Sequence, residues 1–219
     1  MKIGIFGGTF NPIHYGHLRS AEEAREALDL DRVVFIPCFL PPHKGHKDIA
    51  PPKQRLEMLQ LAIADNADLE LSRIEVDREG PSYSVETFRE LRKLYAEDEA
   101  LYFIIGADSF VDIASWKDYE ELFQLTNFII VTRPGYMQGL GNKSPLSLLP
   151  VAIQCRFCYD SIEKILHHDS GKAIHLLETT GFDIASTQVR KCVAERKPIT
   201  YLLPPEVERY IEEKKLYRT

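Results

Sequence analysis

The chain has 219 residues, a formal net charge of −6, and a composition that is 44% hydrophobic and 27% charged, the balance of a globular protein with enough length for a sizeable core. No uncharged apolar run is long enough to span a bilayer. The acidic balance excludes a general nucleic-acid binder, whose affinity would come from clustered Lys and Arg releasing counterions, so any positive field must be local.

Strand-like and helix-like patterns alternate along the chain. Lys2 to Phe6 reads as a buried strand, and Gly7 to His17 (Gly-Gly-Thr-Phe-Asn-Pro-Ile-His-Tyr-Gly-His) follows as a glycine turn opening a helix. That helix is expected over His14 to Leu28, with Leu18, Ala21, Ala24 and Leu28 at helical spacing. Arg32 to Ile36 is a second strand, Pro41 to Pro52 a polar loop bracketed by prolines, and Pro52 to Ala64 a helix with an apolar face of Leu56, Met58, Leu59 and Ile63. Leu69 to Ile74 reads as a third strand, and Ser84 starts a helix turning Phe88, Leu91 and Leu94 inward. Strands are expected at Leu101 to Ile105 and Asn127 to Val131, while Tyr136 to Gly171 shows no deciding period. A strand at Ala173 to Glu178 and helices from Ser186 and Pro205 follow.

Such alternation calls for an α/β fold, a Rossmann-like doubly wound parallel sheet with a small C-terminal helical portion. The expected organisation is one domain over 1–219, with a core at 1–180 and helices at 181–219. Ligands of such sheets lie at the carboxyl ends of the strands. Those ends carry Gly7-Gly8-Thr9-Phe10, Pro41 to Lys44, Gly106-Ala107-Asp108 and Arg133-Pro134-Gly135.

The first of these turns has the outline of a phosphate site. A helix N-terminus offers unpaired N–H groups and the positive end of its dipole. His14 and His17 share a helical face and supply further donors. Gly16 between them costs ~1 kcal/mol against alanine in a helix, which suggests that phosphate oxygens approach the backbone there. Far along the chain, Ser186 is expected to cap a helix whose N–H groups meet the same anion, with Thr187 beside it and Arg190 one turn on. Asp108 suits sugar hydroxyls and Gly106 a close-lying nucleoside, Asp108 as a simple helix cap being the rival reading. Lys44 and Arg133 are candidate phosphate contacts; His43 and Lys47 have no clear role, and Arg55 suits a helix-face ion pair equally well.

Cys38, Cys155, Cys158 and Cys192 include one Cys-x-x-Cys, at 155 and 158, with His167 and His168 nearby. A metal or redox pair would need such spacing, but no second Cys-x-x-Cys accompanies it, so the two are expected to be small buried apolar residues in a reducing compartment. No protein-held metal site is expected. Met1 to Phe6 is broken too soon by glycine to be a secretory signal, and a cytoplasmic location is the expectation.

His14-Tyr15-Gly16-His17 resembles the His-x-Gly-His signature of the nucleotidyltransferase superfamily, and Gly-Gly-Thr-Phe-Asn-Pro before it narrows the likeness to the bacterial nicotinate-nucleotide adenylyltransferases. Pro41-Pro42-His43-Lys44, Pro81-Ser82-Tyr83-Ser84, Gly106 to Ser109, Trp116, Thr132 to Tyr136 and Ile184 to Arg190 extend it over almost the whole chain. The resemblance implies adenylyl transfer from ATP to nicotinate mononucleotide, with Mg2+ held mainly by ATP phosphates. It gives His14, His17 and Arg190 catalytic parts, with His17 at the alpha phosphorus, and places ATP on Gly7, Gly8, Thr9, Phe10, Gly16, Gly106, Asp108, Ser186, Thr187 and Arg190. The acceptor falls to Lys44, Tyr83, Ser84, Trp116 and Arg133, with Trp116 stacking on the pyridine ring. Ala185 stands where the family has a serine and Ser84 where it usually has threonine. Rival readings are a superfamily member using nicotinamide mononucleotide, phosphopantetheine or cytidylate, and a nucleotide-binding regulator without chemistry. A homodimer is an assembly the sequence leaves open; nucleic acid and membrane are not expected partners.

Overall fold

The computed structural model describes residues 1–42, 49–135 and 144–218. Its centre is an eight-stranded sheet in the order β3-β2-β1-β4-β5-β8-β7-β6. The strands are β1 (Lys2–Gly8), β2 (Arg32–Pro37), β3 (Leu69–Leu71), β4 (Ala100–Gly106), β5 (Asn127–Thr132), β6 (Phe157–Asp160), β7 (Ile165–His168) and β8 (Ala173–Glu178). The first five and β8 pair in parallel. β7 and β6 add an antiparallel edge.

Alternate residues of each strand feed opposite faces. Ile3, Ile5, Phe103 and Ile105 enter one buried cluster with Val85, Phe88 and Leu91 of α4 (Ser84–Leu94) and Leu122 and Phe123 of α6 (Tyr119–Leu125). Phe6, Val33, Phe35 and Ile104 enter the other, with Ala21 and Ala24 of α1 (Tyr15–Leu28) and Met58 and Leu59 of α2 (Pro52–Ile63). That second cluster also takes Val189 of α8 (Ser186–Ala194) and Val207, Tyr210 and Ile211 of α9 (Pro205–Glu213). Short helices α3 (Ile74–Arg78), α5 (Ala107–Phe110) and α7 (Val151–Gln154) lie between these elements in the chain.

Several boundaries differ from the sequence reading. The strand expected to Ile74 ends at Leu71; Ser72 N–H still donates to Phe35 O at 2.9 Å, after which an Arg73–Asp77 pair at 2.8 Å supports α3. Leu94, expected inside, is 72% exposed because α4 stops at this residue, one turn past the last buried Leu91. Cys155 and Cys158 are exposed rather than buried, Cys155 just after the short helix α7 and Cys158 on the wet face of the edge strand β6. The undecided stretch contains α7 and the β6–β7 hairpin, whose four-residue strands are too short to display a period; residues 136–143 lie outside the described residues.

β1 sits where strand order reverses, with β2 on one side and β4 on the other. A crevice opens at such a switch point beyond the strand ends.

Candidate active site

A cleft of about 1140 Å³ occupies that crevice, lined by the turn after β1, the start of α4, the β4–α5 corner, the end of β5 and the start of α8. His14 is the N-cap of α1, with extended backbone at φ −150°. Its carbonyl accepts from His17 N–H at 3.0 Å and Leu18 N–H at 3.3 Å, as a first helical turn requires. The side chain is only 5% exposed, and burial, which penalises the imidazolium, lowers its pKa to about 4. Its Nδ1 is buried without a hydrogen-bond partner among the described residues.

The His14 and His17 rings stack with centroids 3.7 Å apart at 28°. A neutral His14 makes this close approach cheap, since two imidazolium rings would repel. His17 meets the edge of Phe10 at 5.2 Å and Phe6 at 6.2 Å. Phe10 holds a left-handed φ of 46° while 2% exposed, a backbone strain that its packing on Phe6 and Phe35 must offset. The sequence reading assigned Gly16 to an approaching phosphate. A Cβ there would lie 3.0 Å from His14 Nδ1 and 3.1 Å from Cε1, so the glycine already makes room for the buried imidazole.

α8 closes the turn from the other side. Arg190 Nη1 donates to Asn11 O at 2.8 Å, and Ser186 Oγ donates to Pro12 O at 2.8 Å. Ser186 is therefore not the cap; it is the first helical residue, and the N-cap Ala185 contributes no side-chain bond. The hydroxyl is spent on holding the turn, which leaves the first-turn amides of α8 without a side-chain cap at the cleft end lined by Thr187 and Arg190. Among the described residues, Gly7, Gly8, Thr9, His14, His17 and Arg190 thus share one wall system.

The opposite part of the cleft holds the other candidates. Tyr83 is the N-cap of α4 and Ser84 its first residue, with Lys117 Nζ 4.8 Å from the Tyr83 ring centroid. Trp116 is half-buried against the first core cluster, its ring 6.2 Å from Phe103, and presents the remainder to the cleft. Gly106 ends β4, and the exposed Asp108 accepts Ser109 N–H at 2.9 Å through Oδ1. Arg133 also lines the cleft and pairs with Asp183 at 2.8 Å, both side chains largely exposed, so the pair is readily exchanged for another anion. Lys44 lies outside the described residues.

Two ionisable residues, Glu75 and Arg55, are buried against expectation. Glu75 of α3 lines the cleft at 7% exposure; burial raises its pKa, opposed by a 2.6 Å bond from Thr87 Oγ1. Arg55, which the sequence leaves open between a functional charge and a helix-face ion pair, is fully buried and bonded to backbone carbonyls. Its signal was present: Arg55 falls one turn before Leu59, on the apolar stripe of α2.

Among the described residues, the three side chains spaced to hold a metal are Asp160, Glu163 and His167, on the β6–β7 hairpin and away from the cleft; Cys155 and Cys158 do not join them.

Residues 5–192 match the cytidylyltransferase-like family. Relatives of matching length include a probable nicotinate-nucleotide adenylyltransferase of Citrifermentans bemidjiense, 50% identical over 99% of this chain and 98% of its own. One of Geotalea daltonii is 48% identical over the same shares. Among solved structures, Plasmodium falciparum nicotinic acid mononucleotide adenylyltransferase complexed with NaAD superposes with a TM-score of 0.73 at 20% identity, covering 99% of this chain and 97% of that one, a likeness of fold.

Proposed function

The chain belongs to the cytidylyltransferase-like family and within it to the nicotinate-nucleotide adenylyltransferases, and from that premise we propose that it joins ATP and nicotinate mononucleotide into nicotinate adenine dinucleotide, releasing pyrophosphate. The observation that carries this reading is the meeting of His14, His17 and Arg190 at one cleft, with uncapped helix amides beside them.

The 5′-phosphate oxygen of the acceptor attacks the alpha phosphorus of ATP in line. The new P–O bond forms as the bond to the leaving beta-phosphate oxygen breaks, and pyrophosphate departs with that electron pair. No proton has to leave the ionised acceptor phosphate, so the protein's work is alignment and charge stabilisation. His17 donates to the non-bridging alpha oxygens as charge accumulates there. His14, neutral before ATP arrives, holds the His17 ring by stacking and offers its own donor. Arg190 and the amides at Ser186 and Thr187 receive the distal phosphates. Gly7, Gly8, Thr9, Phe10 and Gly16 form the floor beneath the triphosphate, while Gly106 and Asp108 receive the nucleoside. Trp116 stacks on the pyridine ring, Tyr83 and Ser84 present α4 amides to its carboxylate, and Arg133 and Lys44 meet acceptor phosphate.

A divalent ion, Mg2+ in this reading, neutralises triphosphate charge when bound. The donor set fits an ion that brings its own shell of water and phosphate oxygens, because the spaced ligand trio of the described residues lies outside the cleft. The same proposal places the protein in the cytoplasm, in keeping with four free thiols. Among the described residues no helix is long and apolar enough to cross a membrane.

The test is pyrophosphate release with ATP and Mg2+, comparing nicotinate with nicotinamide mononucleotide. Release with the acid well above that with the amide is expected. No release with either acceptor removes the proposal, and preference for the amide reassigns the acceptor.

A further inference from the structure

α2 carries the largest fully buried side chain of the described residues, Arg55. Its three nitrogens reach three separate segments: Nε donates to Ala50 O at 2.9 Å, Nη1 to Thr9 O at 2.9 Å and Nη2 to Phe39 O at 3.0 Å. Nη1 also lies 3.8 Å from Cys38 Sγ. Among the described residues no carboxylate pairs with it. Burying a guanidinium is costly, and carbonyl dipoles compensate only when the fork satisfies several at once.

The segments so joined are the turn after β1, the turn after β2 and the approach to α2. Asn11 Oδ1 ties the first and third again, accepting Ala50 N–H at 3.0 Å and the Tyr217 hydroxyl at 2.8 Å. Within a trans peptide the C=O and N–H point in opposite directions. Drawing the Thr9 carbonyl onto Arg55 therefore turns an oxygen lone pair off the cleft floor and sends the Phe10 N–H the other way. A carbonyl oxygen facing a triphosphate would repel it; one facing a guanidinium does not.

We infer that Arg55 is a positioning residue for ATP, a buried fork that fixes the peptide orientations of the phosphate-binding turn from behind. The inference rests on reading the cleft as an adenylyl-transfer site. Lysine keeps the charge but lacks a planar fork able to span three carbonyls, so it does not replace arginine here.

The experiment measures steady-state kinetics against both substrates, binding of a non-hydrolysable ATP analogue, and thermal unfolding for the parent, Arg55→Lys and Arg55→Gln. The ATP KM and the analogue Kd are expected to rise roughly tenfold or more in either variant, with the nicotinate mononucleotide KM moving far less. Arg55→Gln removes the buried charge and carries the test if the lysine variant does not fold. A folded variant with the parental ATP KM and analogue Kd overturns the inference, as does an equal rise in both substrate KM values; failure of both variants to fold assigns Arg55 to the fold alone and overturns it too. Absence of pyrophosphate release from the parent would instead remove the reading beneath it.

Discussion

Acidification should cost this protein stability through His14 in particular. An unfolded histidine titrates near 6.5, whereas burial holds the folded His14 at about 4. As pH falls the unfolded chain takes up its proton first, so the contribution is complete above pH 6.5 and is lost progressively down to about pH 4. In full it amounts to ~3 kcal/mol, of which ~2 kcal/mol is gone by pH 5. Urea unfolding of the parent and of His14→Asn at pH 7.5 and pH 5 measures it. The parent is expected to lose ~2 kcal/mol more than the variant over that interval. Burial also lowers His168 and His175 and raises Glu75, but those groups are common to both chains and cancel in the comparison. Equal losses in the two chains would refute a neutral, buried His14.

Three further outcomes follow from the geometry. His17→Ala should lower turnover by ~10²–10³ with a smaller change in ATP KM; unchanged turnover would take His17 out of the transition state. Gly16→Ala places a methyl 3.0 Å from His14 Nδ1, and displacing that ring should cut turnover by roughly tenfold, while a parental rate would show that the imidazole shifts harmlessly. Gly4→Ala puts a Cβ at 3.0 Å from both Ile104 Cδ1 and Leu30 Cδ1, so urea unfolding should show a loss of ~1–3 kcal/mol with catalysis per folded molecule intact; full stability would mean the core yields there.

The elements that were legible in the sequence are those whose partners repeat a pattern. β1, β2, β4 and β5 are runs of branched and aromatic residues largely buried in the parallel part of the sheet, and such runs stand out from their turns. The histidine pair was legible because two titratable rings three residues apart beside glycines have few structural uses. Arg55 was not, because its partners are carbonyls of Thr9, Phe39 and Ala50, and a backbone oxygen leaves no mark on residue identity. Ser186 shows the same blindness: a serine at a helix start reads as a cap, yet its hydroxyl goes to Pro12 O, 174 positions away. Glu75 was hidden by a strand-like run that continues into α3.

The bond from Tyr217 to Asn11 joins positions 206 apart, and burial keeps the phenol protonated and able to donate. Together with Arg190 at Asn11 O, it means that a ribosome delivers the glycine turn long before the side chains that clasp it. During synthesis the nascent amino-terminal half carries this turn unlatched, and the bonds that hold it at Asn11 form only with docking of α8 and the segment after α9. An extension fused beyond Tyr217 would accordingly start beside that latch, whereas one on the β6–β7 hairpin would sit at the far edge of the sheet.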